Sequence, residues 1–491
     1  MNDQTDRKVI AKQSGVSGSL TPKYRIFLTI ALVVSYLLYA FNNYIIGQTL
    51  KDLQDIYRCT YEQISNINTI RAFAYAVGSI NGFAFDVINR QLSLMIIHVL
   101  IGLTMILTPF YHYLSLLYIN NVVNGFLSGG IELLLNVWTV EMWAQDCGPY
   151  IQAVHFGGSV AGLITPQIFG SFLEEKIQKT LPNNTTGPAM DGQVTETIII
   201  RPSTIHIPYG VLGGISVAFG LFIGCTYFYR KYERRVVVHN NNNNIKNTVD
   251  GKSNWRQRFT IVTCGQSSSE SLMLAIVLLC GYIVSLALTI QWAQFTYIPT
   301  YVEDSKLKLS VDMAVEMSTV LGGALVAGRI AGMIISRFVN SKLIAILFLV
   351  ILFVAEILYI IFTNIGPTGV WVANVVFGIG LGPMQAVGYQ IVEMVTPVTN
   401  MIGVLYIFMS GLIAAITPII MSRFIYTDVF TLVYVNLFFI LTGLIVVAIV
   451  WWLIYKNNDN KSNYNMQTKA NNFTKTDIVM VAPVVSILEV S

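Results

Sequence analysis

Long runs of apolar residues, separated by short polar stretches, recur along most of the chain. A bilayer core is about 30 Å thick, so a helix that spans it needs about 20 consecutive apolar residues. Apolar runs of about this length predict an all-α membrane protein with twelve transmembrane helices. They lie at roughly 24–47, 62–85, 91–109, 113–138, 147–173, 206–229, 270–297, 310–336, 341–363, 367–392, 399–424 and 429–455.

The composition supports a membrane protein and argues against several other classes. Of the 491 residues, 54% are hydrophobic and 11% are charged, whereas soluble proteins average about 25% charged residues. The net charge of +4 is spread over loops, so we expect no nucleic-acid interface. The five cysteines and five histidines show no metal-binding spacing. We therefore expect no enzyme, no bound metal and no cofactor beyond a coupling ion.

The distribution of Lys and Arg predicts the orientation in the membrane. Twelve spans place both termini on the same side. With the N-terminus inside, the inner segments carry 20 Lys and Arg and the outer segments carry 8. Positive residues concentrate on the cytoplasmic side of membrane proteins. Both termini are therefore predicted to be cytoplasmic, and we expect the protein in the plasma membrane.

Two polar stretches divide the predicted spans. A basic segment with five consecutive Asn after His239 separates the sixth span from the seventh, and its composition is typical of a disordered linker. The predicted units are a cytoplasmic tail (1–23), a six-helix bundle (24–229), a cytoplasmic linker (230–269), a second six-helix bundle (270–455) and a tail (456–491). The loop between spans five and six is predicted to be external, and it carries overlapping glycosylation sequons at Asn183 and Asn184.

Three pairs of similar segments indicate that the two halves are repeats. Residues 78–86 match 328–336, NVVNGFLSGGI from Asn121 matches NVVFGIGLGPM from Asn374, and ITPQIFGSF from Ile164 matches ITPIIMSRF from Ile416. The offsets are 250, 253 and 252 residues. Six helices are an even number, so both halves insert with the same polarity. Parallel repeats of this kind place a substrate site at their interface, near the middle of the membrane.

Several motifs resemble those of a known transporter family. The loop after the second span contains Gly82-x-x-x-Asp86-x-x-x-Arg90, which resembles the loop motif of the major facilitator superfamily. Four further stretches resemble the sodium-dependent glucose transporter group, also called major facilitator domain-containing protein 4-like, which is related to bacterial fucose–proton symporters. They are GQTLKDL (47–53), RAFAYAVGSINGFAFD (71–86), the segment from Gly130 to PYIQAVHF (149–156), and GGALVAGRIAG (322–332).

This resemblance implies a fold, an activity and some site residues. It implies two six-helix bundles that transport a sugar with sodium or protons. Asp86 and Arg90 would help to hold the cytoplasmic gate closed. Glu132 and Asn136 match the acid and amide of the related symporters, whereas Asn43 stands where those symporters carry a carboxylate.

Glu132 is the main candidate for chemistry. A carboxylate within a spanning helix costs about 2.5–3.5 kcal/mol on insertion scales, so it normally faces the protein interior or water. Five polar residues recur every four positions and predict a polar face of the fourth span: Asn120, Asn124, Ser128, Glu132 and Asn136. One interpretation is that this face lines the central cavity, where Glu132 and Asn136 bind the coupling cation or proton and the other residues bind substrate. The alternative is a packing face of small polar residues.

The remaining candidates lie in other spans. The repeat places Gln385 at the counterpart of Glu132 and Tyr389 at the counterpart of Asn136. Amides and aromatic rings suit sugar recognition, although Trp at that depth is also an ordinary interfacial anchor and a buried His is more often a packing residue. The predicted substrate-binding residues are Asn43, Asn124, Ser128, Gln152, His155, Gln291, Trp292, Gln385 and Tyr389.

These observations favour a monomeric, sodium-coupled symporter of glucose or a related hexose, with sugar, cation and lipid as its partners. Sodium and glucose are implied by the family resemblance alone. The alternatives are proton-coupled or facilitative transport of another small polar solute, or a receptor that binds sugar without moving it.

The orientation yields a direct prediction. We expect glycans at Asn183 or Asn184 and an epitope at the C-terminus that antibodies reach only after cells are permeabilised. Removal of glycans with a glycosidase should shift the gel mobility of the wild type but not of a variant lacking both sequons. Surface labelling of the C-terminal epitope in intact cells would contradict this orientation.

Overall fold

The computed structural model describes residues 21–85, 87–143, 147–180, 195–233, 269–336, 338–393, 400–425 and 427–456. These residues form mainly long α-helices. The helices are α1 (Pro22–Tyr57), α2 (Tyr61–Gly78), α3 (Asn81–Ala84), α4 (Arg90–Leu107), α5 (Leu114–Trp143), α6 (Cys147–Gly170), α7 (His206–Tyr229), α8 (Ser269–Asp304), α9 (Val311–Ile335), α10 (Ser341–Phe362), α11 (Pro367–Leu381), α12 (Met384–Glu393), α13 (Asn400–Phe424) and α14 (Thr431–Lys456).

One antiparallel β-hairpin interrupts the helical pattern, between α6 and α7. It consists of β1 (Glu175–Thr180) and β2 (Thr195–Arg201). Arg201 ties its end to the helical body, because the Arg201 Nε donates to the Leu173 carbonyl at 2.9 Å. The all-α fold class is confirmed for the described spans, and this hairpin lies in the loop between the fifth and sixth of them. The two sequons at Asn183 and Asn184 lie outside the described residues.

Nine helical stretches of the described chain are long and apolar enough to cross a membrane. They comprise α1, α4 with the 3-10 turn that follows it, α7, α8, α9, α10, α11 with α12, α13 and α14. The predicted spans at 62–85, 113–138 and 147–173 are also helical but are not among the nine. Their helices bury polar side chains such as Arg71, Glu132 and Gln152. The sequence thus places its polar residues on helices that face other helices rather than lipid.

The predicted tenth span is broken into α11 and α12 at Gly382 and Pro383. Proline has no backbone N–H and disrupts a continuous helix. Gly382 is pressed against α9, since a Cβ at this position would lie 2.5 Å from the backbone carbonyl carbon of Gly328. The break matters because α12 begins immediately after it and carries Gln385 and Tyr389.

Helices α1 and α8 both extend beyond the spans predicted from hydropathy, which ended at 47 and 297. Their extensions carry charged residues that pair with one another. Lys51 Nζ lies 2.6 Å from Glu303 Oε2 and 3.7 Å from Asp304 Oδ1. Hydropathy could not reveal these turns, because their charged side chains are stabilised by partners on another helix.

Close contacts at glycine join the first six predicted spans to the last six. Small residues let membrane helices approach closely. Helix α6 packs against α9, α2 against α13, and α1 against α8. At Gly322 of α9, a Cβ would lie 2.3 Å from the Leu163 backbone nitrogen of α6. This contact between two backbones leaves no space for a side chain.

We expect Gly322→Ala to destabilise the α6–α9 interface, because its methyl group would collide with backbone that cannot rotate away. Overpacking of this kind costs about 1–3 kcal/mol. Gly323→Ala is the matched control, since a Cβ there would lie at an ordinary 3.5 Å from the Leu163 side chain. Thermal unfolding in detergent should show a lower midpoint for Gly322→Ala and a nearly unchanged one for Gly323→Ala. Equal midpoints for all three proteins would contradict the packing described here.

Candidate functional site

The Glu132 carboxylate lies at a junction between three helices. It is 2% exposed and sits in the middle of α5. Its Oε2 accepts a hydrogen bond from the Tyr39 hydroxyl at 2.8 Å, and its Oε1 accepts from the Tyr36 hydroxyl at 3.3 Å. The Gln385 Nε2 of α12 donates to the same Oε1 at 2.7 Å. One acid therefore connects α5 to α1 and to a helix of the other predicted half.

Neighbouring side chains hold this part of α5 in place. Asn136 Nδ2 donates to the Glu132 backbone carbonyl at 2.9 Å, and Asn136 Oδ1 lies 2.9 Å from His155 Nε2. The His155 ring packs edge-on against Tyr36, with 4.7 Å between the ring centroids. Asn136 and His155 thus link α5, α6 and α1 around the carboxylate, but neither one bonds to its oxygens.

Several buried polar groups near this junction have no hydrogen-bond partner among the residues that the structure describes. They include both donors and acceptors: Gln152 Nε2 and Oε1, His155 Nδ1, Arg329 Nε and Nη1, and Gln385 Oε1. Gln152 and His155 share one face of α6, because they are separated by three residues. About 90% or more of buried polar groups in proteins have a partner. A concentration of exceptions therefore indicates a place for water, an ion or a polar solute.

Arg329 of α9 is the functional candidate that the sequence analysis missed. Its side chain is 1% exposed. Its Nη2 lies 3.4 Å from Gln291 Oε1, and Gln291 Nε2 donates to the Tyr44 hydroxyl at 2.6 Å. The chain of contacts runs from α9 through α8 to α1. The available signal was an arginine within an apolar run, which by itself marks a functional site in a membrane protein.

A cavity lies between α1, α2, α8 and α13. The cavity has a volume of about 540 Å³, and this volume includes the open space at its mouth. Its polar and aromatic lining includes Asn43, Arg71 and Trp292, whereas Glu132 is not among the lining residues. Trp292 packs edge-on against Tyr75, with 5.1 Å between the ring centroids. The predicted sugar-binding residues Asn43 and Trp292 therefore share one cavity, but the polar face of α5 does not line it.

Arg71 is held by neutral oxygens in this cavity. Its Nη2 lies 2.5 Å from Asn43 Oδ1, and its Nη1 donates to the Asn42 backbone carbonyl at 3.1 Å. Within the described residues no ion pair between Arg71 and a carboxylate is present. No direct hydrogen bond joins the described side chains of Arg71 and Glu132, whose partners are different residues.

Asn124 and Ser128 lie in a separate network within the first predicted bundle. The Asn124 and Asn42 amides donate to each other at 2.9 and 3.0 Å. Asn124 Nδ2 also donates to Thr104 Oγ1 at 2.7 Å, and the Ser128 hydroxyl lies 3.5 Å from Asn124 Oδ1. These bonds fit the interpretation that Asn124 and Ser128 belong to a packing face between helices. The polar face of α5 therefore has two parts: a packed part at Asn124 and Ser128, and the junction at Glu132.

The remaining predicted residues lie apart from these contacts or outside the described chain. Tyr389 is buried and its ring contacts Tyr406, with 5.5 Å between the centroids. Arg90 Nη2 forms an ion pair with Glu141 Oε2 at 2.9 Å. Asp86, the other predicted gate residue, lies outside the described residues. Its proposed role with Arg90 stays a prediction.

The junction can bind a cation or a proton through Glu132 and can exchange hydrogen bonds with a hydroxylated solute through the unpartnered groups. It does not resemble a transition-metal centre. No group of three or more His, Cys, Asp or Glu side chains suited to a metal ion occurs in the part of the chain that the structure describes.

Known proteins with similar sequences are named as transporters or as members of the same superfamily. The chain is 24% identical over 220 residues to Sodium-dependent glucose transporter 1 of Rattus norvegicus, and this match covers 42% of this chain and 44% of the rat protein. It is 23% identical over 413 residues to the Danio rerio protein of the same name, covering 81% and 64%. Major facilitator superfamily domain-containing protein 4A of Danio rerio is 23% identical over 203 residues, covering 40% and 37%.

These matches span less than two thirds of the relatives' own lengths. The family profile described as Major Facilitator Superfamily matches residues 32–418, which is most of the chain. This match confirms the resemblance inferred from the motifs and identifies a membrane protein that crosses the bilayer several times. The chain belongs to the Major Facilitator Superfamily.

Proposed function

We propose that this protein is a secondary active transporter that carries glucose or a related hexose together with sodium across the plasma membrane by alternating access. The observation that supports this most directly is the Gln385–Glu132 hydrogen bond. It places a buried acid between two helices from different predicted halves, beside buried donors and acceptors that have no partner. Family membership and the names of the relatives point to transport rather than catalysis.

In this proposal, twelve membrane spans form two parallel six-helix halves with both termini in the cytoplasm. The matched segments at nearly constant offset and the excess of Lys and Arg in the inner loops support this arrangement. The α6–α9, α2–α13 and α1–α8 contacts would then form the interface between the halves. Alternating access would consist of rocking one half against the other around the Glu132 junction.

The assignment of sodium rests on the chemistry of the junction and on the relatives' names. Hard cations prefer oxygen ligands. Glu132 supplies a carboxylate, and the carbonyl oxygens of Gln385 and Gln152 are buried without a donor. A proton on Glu132 is the alternative coupling ion, because the same carboxylate could accept it. Two of the relatives are named as sodium-dependent, which favours sodium.

The assignment of a sugar rests on the mixture of polar groups. Each sugar hydroxyl both donates and accepts a hydrogen bond. Arg329 offers two free donors, Gln385 a free acceptor, and the Gln152 amide both. Aromatic rings such as Trp292 in the adjacent cavity suit the apolar C–H faces of a sugar. A hydroxylated, uncharged solute fits this combination, and the relatives' names make it glucose.

The coupling would follow from competition for the Glu132 oxygens. A cation bound at Oε1 would replace the hydrogen bond from Gln385 and allow that amide to turn toward the solute. Cation and solute would then favour the same conformation of α12, and each would raise the affinity for the other by the same factor.

Glu132→Gln tests this coupling. The substitution keeps size and hydrogen-bonding capacity but removes the charge, so cation binding should weaken while solute exchange between equal concentrations persists. In proteoliposomes, we expect the variant to lose concentrative hexose uptake driven by a sodium gradient. Glu316→Gln is the matched control, since Glu316 is an exposed acid on α9.

Accumulation against a gradient by Glu132→Gln, equal to that of the wild type, would exclude Glu132 as the coupling site. Loss of exchange as well as accumulation, with normal surface expression, would place Glu132 on the sugar instead. Binding of hexose by the wild type without any uptake would identify a receptor rather than a transporter. A pH gradient that drives uptake where a sodium gradient does not would identify the proton as the coupling ion.

Gln152→Leu separates solute binding from stability. Both amide atoms of Gln152 are buried without a partner, so replacing them with apolar atoms should leave the thermal midpoint unchanged or higher. If they bind solute, the KM for uptake should rise by about 2–13-fold, as expected for lost hydrogen bonds of about 0.5–1.5 kcal/mol.

Asn124→Leu is the comparison for Gln152→Leu, because the Asn124 amide is bonded to Asn42 and Thr104. This variant should unfold at a lower temperature. An unchanged KM in Gln152→Leu together with a raised thermal midpoint would show that the amide does not bind the solute.

A further inference from the structure

Glu356 is a second buried acid, and nothing in the proposed transport cycle uses it. It lies in α10, a helix made almost entirely of apolar residues, and its side chain is 1% exposed. Its Oε1 has no hydrogen-bond partner in the described part of the chain. Among the described residues no Lys or Arg forms an ion pair with it. A carboxylate in such surroundings carries a large desolvation penalty, so something must neutralise it.

A network of amides and hydroxyls surrounds this acid. The Asn436 side chain of α14 lies within hydrogen-bonding reach of the Glu356 carboxyl group, and its Nδ2 donates to Gln294 Oε1 of α8 at 2.9 Å. Gln294 Nε2 donates to the Tyr359 hydroxyl at 3.1 Å, which donates to Asn374 Oδ1 of α11 at 2.8 Å. Every amide oxygen in this path has a donor except Asn436 Oδ1.

The first half contains a counterpart of this network without an acid. Thr104 precedes Glu356 by 252 residues and Asn42 precedes Gln294 by 252 residues, an offset found between the repeated segments. Thr104 Oγ1, Asn42 and Asn124 form a closed set of hydrogen bonds with no unpartnered side-chain atom. A neutral hydroxyl at the position of Glu356 is therefore sufficient for packing, and the acid in the second half requires another explanation.

Within the described residues, two acceptors of this network have no donor. Glu356 Oε1 and Asn436 Oδ1 belong to side chains that touch each other, and both lack a hydrogen. A single proton on Glu356 would turn the carboxyl group into a donor and supply Asn436 Oδ1 with its missing bond. Within the described residues only these two oxygens of the network are free, so a metal cation would find fewer oxygen ligands here than at the Glu132 junction, whereas one proton would satisfy both.

We propose that Glu356 is a proton-binding site of the second half, occupied in this conformation and distinct from the ion site at Glu132. The groups near it are the neutral side chains of Tyr301 on α8, Tyr359 on α10 itself and Asn436 on α14. The network continues from them to two neutral amides, Gln294 on α8 and Asn374 on α11. None of them supplies a charge that could replace the proton.

The position of Gln294 connects this proton to the central site. Gln294 lies one turn along α8 from Gln291, whose Nε2 donates to Tyr44 of α1. Loss of the proton would put a charge next to Asn436 and Gln294 and disturb the packing of α8 against α10 and α14. The conformation of α8 would then change with the occupancy of Glu356, so proton binding and solute binding must influence each other.

Infrared difference spectroscopy on the full-length protein in lipid tests the proton directly, without depending on the proposed substrate or coupling ion. We expect the wild type at neutral pH to show the carbonyl-stretch band of protonated carboxyl groups. In Glu356→Gln this band should lose the intensity that one carboxyl group contributes. Glu356→Thr copies the residue at position 104 and should lose the same band, so the test does not depend on one variant. The exposed Glu316→Gln should retain it.

Identical protonated-carboxyl bands in the wild type and both Glu356 variants would overturn the proposal. So would loss of the Glu356-dependent part of the band, measured as the difference between wild type and Glu356→Gln, on replacing choline chloride with sodium chloride at constant pH, since that would place a metal cation on Glu356. Solute exchange supplies an independent measurement: it should decline at alkaline pH in the wild type, and Glu356→Gln should flatten that decline. A failed exchange assay with an intact band difference would count against the proposed function and not against the proton site.

Discussion

The hydrogen bond between Gln385 and Glu132 is the interaction on which the candidate site depends. It needs an acid in the middle of α5 and an amide at the start of α12, and each position has a separate structural cause. Gly382 and Pro383 break the predicted tenth span and begin α12 beside α5. Asn136 bonds to the Glu132 backbone and to His155. Without the helix break or this support, the acid would be buried with fewer donors, which a membrane interior penalises strongly.

The need to give every buried polar group a hydrogen-bond partner also explains how polar and apolar residues are divided among the helices. Lipid offers no hydrogen bonds, so polar side chains must face other helices. Helices α2, α5 and α6 carry Arg71, Glu132 and Gln152 and are too polar to qualify as membrane spans on composition. They are stabilised by close packing at glycines such as Gly322, where backbones touch. A site rich in polar groups is therefore compatible with the membrane only because small residues bring the surrounding helices together.

The sequence predicted most of the helices and the interior position of Glu132, because long apolar runs and an isolated acid are local signals. It did not predict the breaks and extensions of helices, which depend on contacts between distant residues. Lys51 is an example: its turn of α1 is polar, and its partners Glu303 and Asp304 lie on α8. The partners of Asn124 could not be predicted either, because periodicity places a residue on a face but does not say what that face meets. Arg329 and Glu356 were visible as charges within apolar runs, yet only the structure gives their surroundings.

The two predicted halves carry their buried acids at positions that do not correspond to each other. Each buried acid has a neutral residue at its counterpart position: Gln385 follows Glu132 by 253 residues, and Thr104 precedes Glu356 by 252. In the first case the acid and its counterpart amide are bonded to each other across the two halves. In the second case the two residues belong to separate networks, one closed by Thr104 and one left with two free acceptors. Among the described residues, neutral hydrogen bonds alone satisfy the network of Asn42, Thr104 and Asn124, whereas the proton that we propose on Glu356 would be needed to satisfy the network that contains this acid.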